Sequence, residues 1–472
     1  MSHSHGDSSS DQQPSVERGN KELCSIIEQS ALSDSGIQKI FSILGDSSGL
    51  ALVGGSVREF LSSRATTDVD LAVRLLPMQV KTALEGQGIR VIETGIEHGT
   101  VLAVIDQRHY EITTYRRPGP RIGSGYSETL ETDLSGRDFT INAIAYNLAT
   151  RKIVDPFAGA RDLELGVLRC VGAARERFSE DPLRILRAIR FGVASGRIID
   201  PQTEAAIVDL RQSLASVSIE RIRHEVEQIL LSPHAADGFR ALARLELLPY
   251  TIPELQQTIG VEQNDYHVHD VFEHTMAVIS NAPTDRILRL TALFHDLGKP
   301  ATLSIGENGQ RHFYLHEKIS TEICQTVMKR MRYSQSDIDT VALLVATHMR
   351  PLTCGPQGVR RLIRDLGTDL ERWFQFKFAD RPPRVVEGEF EAGVENFTTL
   401  LHAERKRTVG SVFSSLGVSG QDVLLAGVRE GPAVGGILKV LNDEVLEDPE
   451  RNTRDYLLAR IVELKSSFDP GC

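Results

Sequence analysis

The stretch VGGSVREFLSSRATTDVDLAV, Val53 to Val73, sets a glycine pair and an arginine ahead of two alternating aspartates, Asp68 and Asp70. Residues two apart on a strand share a face. Two carboxylates there repel each other unless a cation sits between them, and Mg2+ is the natural occupant. Gly54 and Gly55 let the backbone approach a ligand closely, and Arg58 offers a planar donor suited to phosphate. A metal beside a phosphate cradle is the equipment of phosphoryl or nucleotidyl transfer, where positioning and charge neutralisation do most of the catalysis. Taken alone, the same letters also fit a glycine turn before a solvated acidic strand end.

Two further stretches bear on that choice. HYEITTYRR puts Glu111 and Thr113 on one strand face, where Glu111 could complete a carboxylate trio or stand solvated at an edge. LSGRDFTINAIAYN places Arg137, Asp138 and Asn142 where a helix is expected to begin, with Arg137 in reach of a phosphate and Asp138 of a ribose hydroxyl. A helix cap with a solvated ion pair would use the same residues.

The motifs G-G-x-V-R, D-x-D, E-x-T-T-x-R, R-D-F-T-I-N-A-I-A, D-P-F-x-G and E-D-P-L-R-x-L-R occur here in that order. As a set they resemble the class II tRNA nucleotidyltransferases, the family of CCA-adding enzymes and bacterial poly(A) polymerases. The resemblance is close from about Leu50 to Leu230 and looser over most of the remainder. It implies that Asp68 and Asp70 hold Mg2+ and that Gly55, Arg58 and Arg137 hold the incoming nucleotide. From the residues themselves Glu111 is expected to join the aspartates, and Gly54, Asp138 and Asn142 to line the same nucleotide site. There are departures: Val57-Arg58-Glu59 stands where the family usually has V-R-D. Gly136-Arg137-Asp138 stands where it often has R-R-D, which removes one cation.

ERFSEDPLRILRAIRF carries the base-reading chemistry. On a continuous helix Asp181 and Arg184 share a face, Arg187 and Arg190 continue that row, and Leu183, Leu186 and Ile189 turn toward the core. Aspartate accepts hydrogen bonds and arginine donates them. Cytosine and adenine each offer an amino donor beside a ring acceptor, so the pair matches either Watson–Crick edge. Guanine and uracil put a carbonyl where the amino group should be. The resemblance assigns the same templating role to Asp181 and Arg184 and a nucleotide contact to Arg187. A surface ion pair three residues apart is the plain alternative.

Farther on, His274, His295, Asp296 and Asp380 supply imidazole and carboxylate ligands for one divalent metal, and His316 and His348 could serve a second. FHDLGKP resembles the HD phosphohydrolases, whose metal-activated water attacks phosphoesters. The resemblance implies a transition metal here, Ni2+, Mn2+, Co2+ or Fe.

Composition is consistent with this. At 472 residues the chain is too long for one core. A hydrophobic share of 41% and a charged share of 25% describe an ordinary soluble protein. No run approaches a membrane span. Five scattered cysteines without a C-x-x-C predict a reduced, cytoplasmic protein. A net charge of −11 argues against sequence-blind polyanion binding, although local arginine clusters can still act. Alternating strand and helix patterns give way after Val167 to helical spacing alone.

The expected order is a disordered lead (1–20), an α/β or α+β nucleotidyltransferase head (21–165), a helical neck (166–255), an HD body (256–385) and a helical tail contacting tRNA (386–472). In that tail GPAVGGIL could present backbone N–H groups to phosphate; within the HD body Arg360, Arg361 and Arg364 form a small basic row. The expected activity is addition of CCA, or of CC or A alone, to the tRNA 3′ end from CTP and ATP. A poly(A) polymerase is the alternative within the class. An HD phosphohydrolase with a nucleotide-binding first half is the alternative outside it.

Overall fold

The computed structural model describes residues 23–29, 33–61, 68–96, 99–119, 125–263, 269–381, 388–408 and 416–468. The expected lead, 1–20, lies outside them. The chain forms two compact units, Met1–Gln256 and Gln257–Cys472.

The first unit is built on a seven-stranded mixed sheet. Its strands are β1 (Ala51–Val53), β2 (Asp68–Val73), β3 (Arg90–Gly95), β4 (Thr100–Ile105), β5 (Arg108–Thr114), β6 (Ala145–Asn147) and β7 (Lys152–Val154), in spatial order β3-β4-β5-β2-β1-β6-β7. The central pair β2 and β5 runs parallel, and the other neighbours are antiparallel. Alternation assigns the two faces. Leu52, Val69, Leu71, Val73, Tyr110 and Ile112 enter one large core with Ile37, Ile40, Val80 and Leu84 of the covering helices. The opposite parity, Ala51, Val53 and Ala72, joins a smaller cluster. Asp70 therefore belongs to this second face, and so does Glu111. The register sets Asp70 directly beside Glu111 and Asp68 beside His109.

DFTINAIAYN does not begin a helix. Phe139 bridges to Cys170, a single 3-10 turn covers Thr140–Asn142, and β6 follows. Ile141, Ala143, Ile144, Ala145 and Tyr146 are all buried. A segment buried on every side has no polar face to show, so the helical expectation lost to β6 pairing with β1 and β7.

Beyond the head the unit is mainly helical: Ala174–Glu180, Arg184–Phe191, Pro201–Leu210, Ile219–Leu230 and Ala235–Arg244. Strands do not vanish after Val167, however. Val167–Leu168 pairs in parallel with Ile198–Ile199, and in the second unit Leu303–Ile305 pairs with Arg311–Phe313 as a hairpin. Pairs of two or three residues are too short to show a period in sequence.

In the second unit the helix Arg286–Phe294 is buried along nearly its whole length, including Arg289, as expected of the central helix of a bundle. It ends at His295 and Asp296. Val271–Asn281, His316–Arg330, Gln335–Thr347 and Leu370–Ala379 deliver the other metal-ligand candidates from their ends or faces. Glu389–Thr408, Gly420–Leu425, Pro432–Glu447 and Arg454–Phe468 follow, the last three sharing a core around Val423, Ile437, Leu441 and Ile461.

Candidate active site and metal centre

Gly54 has a φ of 61°, left-handed backbone that side chains disfavour, and a Cβ there would lie 3.0 Å from an Arg137 Nη1. A Cβ on Gly55 would lie 3.0 Å from Asp70 Oδ2. The Gly55 N–H donates to that oxygen at 3.1 Å, and the Asp70 N–H donates to Ser56 Oγ at 2.6 Å. The glycine pair thus lets the start of the helix Gly54–Leu61, which follows β1 directly, close onto the aspartate strand. Burial pushes the Asp70 carboxyl above its ordinary range, against Arg137, the two backbone contacts and Arg58. Such a group is ready to gain from a cation. Asp68 lies in the same strand, but its side chain falls outside the described residues.

Around this strand stand the arginines. Arg58 donates to Asn142 Oδ1 and pairs with Glu59 at 3.0 Å. Asn142 donates to Asp138 Oδ1 at 2.9 Å. Arg137 is held by Asp133 at 2.9 Å. Arg187 donates to Asp138 Oδ2 at 2.8 Å, and Arg190 pairs with buried Glu225 at 3.1 Å. A cavity of about 470 Å³ is lined by Gly55, Asp70, Glu111, Arg137, Asp181 and Arg184 among others. Eight arginines line it against five carboxylates, a cationic pocket in a chain of net charge −11. Its dimensions and charge suit a nucleoside triphosphate.

In the second unit His274, His295, Asp296, Asp380, His316 and His348 converge in two groups that share Asp296. Its Oδ2 lies 3.4 Å from His274 Nε2 and 3.1 Å from His295 Nε2, and its Oδ1 lies 3.3 Å from His316 Nε2. Asp380 Oδ1 stands 3.2 Å from His274 Nε2. His295, His316 and His348 each turn Nδ1 to a backbone carbonyl, at 2.9, 2.8 and 2.7 Å. A carbonyl only accepts, so Nδ1 carries the proton and Nε2 presents a lone pair inward when the ring is neutral. Burial, then the His295 charge, pushes His348 down to about 3, so that ring is neutral at ordinary pH. The Nε2 atoms of His316 and His348 face each other at 3.3 Å, an arrangement that repels until a cation takes both lone pairs. Both buried Asp296 oxygens lack a well-formed hydrogen bond; Lys299 Nζ lies 2.7 Å from Oδ2. These donors fit a divalent transition metal in each group.

Residues 50–169 match the poly A polymerase head domain, 198–259 the probable RNA and SrmB-binding site of polymerase A, and 266–366 the HD domain. The A-adding tRNA nucleotidyltransferase of Deinococcus radiodurans is 31% identical over 420 residues, 83% of this chain and 90% of that protein. The chain belongs to the tRNA nucleotidyltransferase family. Within the family, the CCA-adding enzyme of Lactiplantibacillus plantarum is 40% identical over 209 residues, 42% of this chain and about half (49%) of that enzyme. The Bacillus stearothermophilus CCA-adding enzyme, solved in complex with CTP, aligns with a TM-score of 0.68 at 26% identity, covering 94% of this chain and 99% of that one. Head and HD domains together imply use of divalent metal. No helix among the described residues is long and apolar enough to cross a membrane.

Several family residues sit differently from the sequence expectation. Asp181 is not on the helix of Arg184: it is extended, at φ −148° and ψ 100°, between Ala174–Glu180 and Arg184–Phe191. Pro182 explains this, because the residue before a proline is driven out of the helical region. Asp181 and Arg184 do not pair with each other. Arg184 binds Glu180 at 2.7 Å and the Gly136 carbonyl at 3.1 Å. Leu183, Leu186 and Ile189 are buried as expected, with Ile185 and Ala188. Asp138 is buried and both its oxygens are taken, by the Phe139 N–H, Asn142 and Arg187; it braces Arg187, which lines the cavity.

The row Arg360, Arg361, Arg364 is not free for a polyanion. Arg360 is buried, donating to the Leu446 and Glu447 carbonyls at the end of Pro432–Glu447 and pairing with Glu404 at 3.1 Å. Arg361 pairs with Glu447 at 3.5 Å and Arg364 with Asp443 at 3.0 Å.

Sequence reasoning missed Asp133, Phe191, Arg221 and Glu225. The Phe191 ring has the Arg58, Arg187 and Arg190 guanidinium carbons 4.8, 5.1 and 4.2 Å from its centre. An aromatic ending the run R-I-L-R-A-I-R-F was the available signal.

Asp138 also sets a pH dependence. Burial pushes its carboxyl up, but the Arg187 charge, the Asn142 and Arg187 hydrogen bonds and Arg184 outweigh it and lower it to about 2. A depressed folded-state value adds stability present above the unfolded value near 4 and lost as pH falls toward 2, about 2 kcal/mol here. The gap in unfolding free energy between wild type and Asp138→Asn is expected to narrow by that amount between pH 6 and pH 2. A gap constant with pH would show that Asp138 is not held ionised.

Proposed function

We propose that the first unit extends the tRNA 3′ end with nucleotides from CTP and ATP, adding CCA or one of its parts, and that side chains serve as its template. The observation that carries this is one cavity joining Asp70 and Glu111 to the arginines and to Asp181 and Arg184. Asp68 and Asp70, with Glu111 beside them in register, form an all-oxygen donor set suited to Mg2+. Bound there, Mg2+ supplies neutralisation of triphosphate charge and activation of the attacking hydroxyl. Arg58 and Arg137 face the phosphates, with Asp138 and Asn142 bracing Arg58 and Arg187. Asp181 accepts from the base amino group while Arg184 donates to the ring nitrogen beside it, and Arg187 and Arg190 complete the cationic wall. The names of the relatives span A addition and CCA addition, and both fall within this reading.

The second unit holds a transition metal on His274, His295, Asp296 and Asp380 and a second on His316 and His348 with the shared Asp296, and it hydrolyses phosphoesters. The chain works in the reducing cytoplasm, consistent with the free Cys24, Cys170, Cys324 and Cys354.

Asp181→Ala tests the template. An unmet buried polar group costs about 1–3 kcal/mol, so preference for CTP and ATP over UTP and GTP is expected to fall roughly tenfold to a hundredfold. Measured on a tRNA transcript with each triphosphate in turn, an unchanged preference would defeat the template reading.

A further inference from the structure

The helix Ile219–Leu230 packs against Arg184–Phe191 and presents Arg221 and Glu225, four residues apart and so on one face. Their charges are opposite to those they meet. Glu225 meets Arg190 at 3.1 Å and Arg187 at 3.8 Å. Arg221 Nη2 meets Asp181 Oδ2 at 2.7 Å, and Arg221 itself lines the nucleotide cavity. The other Asp181 oxygen, Oδ1, accepts from the Leu183 N–H at 3.2 Å. Both oxygens are thus anchored, and each retains a further lone pair. Arg184 is meanwhile held by Glu180 at 2.7 Å and by backbone carbonyls of Arg177 and Gly136.

We infer that Arg221 is a positioning residue for base selection: it aims the Asp181 carboxylate and keeps it from pairing with Arg184. This rests on the templating role proposed for Asp181. Asp181 and Arg184 are opposite charges three positions apart, and without other partners they would satisfy each other. A template closed on itself offers the base neither its acceptor nor its donor. Two separate pairs, Asp181 with Arg221 and Arg184 with Glu180, hold acceptor and donor apart so that both remain addressed to the cavity. The base amino group then meets a carboxylate already oriented, and a carbonyl at that place meets an acceptor that cannot swing away.

Arg221 comes from a helix forty residues along the chain, and its side chain is about half exposed (48%). Its replacement therefore disturbs no core.

The test compares Arg221→Ala, Arg221→Gln, Arg221→Lys and Asp181→Ala on a tRNA transcript. KM and kcat are measured for CTP, ATP, UTP and GTP, with the thermal midpoint of each protein as a check on folding. In Arg221→Ala and Arg221→Gln, preference for CTP and ATP over UTP and GTP is expected to drop about tenfold, mainly through a rise in KM for the correct nucleotides. Arg221→Lys restores part of it, since an ammonium can still hold one carboxylate oxygen. A purely structural role would lower kcat for all four nucleotides alike and leave their ratio in place, and that result overturns the inference. Preference lost in Asp181→Ala but intact in both Arg221→Ala and Arg221→Gln also overturns it, while leaving the template reading standing. Preference intact in every variant overturns both.

Discussion

Asp70→Asn is expected to slow nucleotide incorporation by about three orders of magnitude while leaving the fold intact. Asparagine keeps an oxygen for the Gly55 N–H, now 3.1 Å from Asp70 Oδ2, and keeps the backbone contact to Ser56. It removes the negative charge, which neither a water nor an amide oxygen in the same place can supply to Mg2+. Charge stabilisation by a bound divalent ion is worth several kcal/mol, and each 1.36 kcal/mol is a factor of ten in rate. The loss should fall on kcat, because the arginines that line the cavity remain. Single-turnover extension of a tRNA transcript by wild type and variant measures it. A variant within a few-fold of wild type would move the chemistry away from this strand.

Asp296→Asn is expected to reduce metal bound by the second unit at least tenfold without the same effect on nucleotide incorporation. Asp296 gives one oxygen to the His274–His295 group and the other to the His316–His348 group. Burial pushes its carboxyl up, yet His295 and Lys299 hold it well below the usual range, so it carries its negative charge at neutral pH. Even outer contacts to ligands change metal affinity by roughly 10–100-fold, and a shared ligand should do no less in either group. Elemental analysis after equilibrium dialysis against Ni2+ or Mn2+ reads the outcome directly. Equal metal content in the two proteins would make this cluster a buried polar core.

Much of this was legible in the sequence, for identifiable reasons. The aspartate strand was readable because strand alternation ties Asp68, Asp70 and Ala72 to one face, and the glycine pair because nothing larger clears Asp70 and Arg137. The gathering of the histidines was readable because imidazole and carboxylate in such number along helical segments point to a common cluster, and there they converge. What failed was long-range or hidden by a local rule. Pro182 breaks the helix that 3.6-residue spacing extends through Asp181, although the proline itself was a visible sign. The partners of Asp181 and Arg190 come from a helix roughly forty residues away, where Arg221 and Glu225 look like any solvated charges. Arg360, Arg361 and Arg364 read as a basic surface because Glu404, Asp443 and Glu447 pack against them only once the chain is folded.

The account is tested most directly by extending tRNA transcripts that lack one, two or all three terminal nucleotides, using labelled CTP and ATP with Mg2+. It predicts that the full chain lengthens at least one of them, stops at the completed end, and extends about a thousandfold more slowly when Asp70 is asparagine. No extension of any transcript by the wild-type chain, or an adenosine tail that grows without limit, would contradict it.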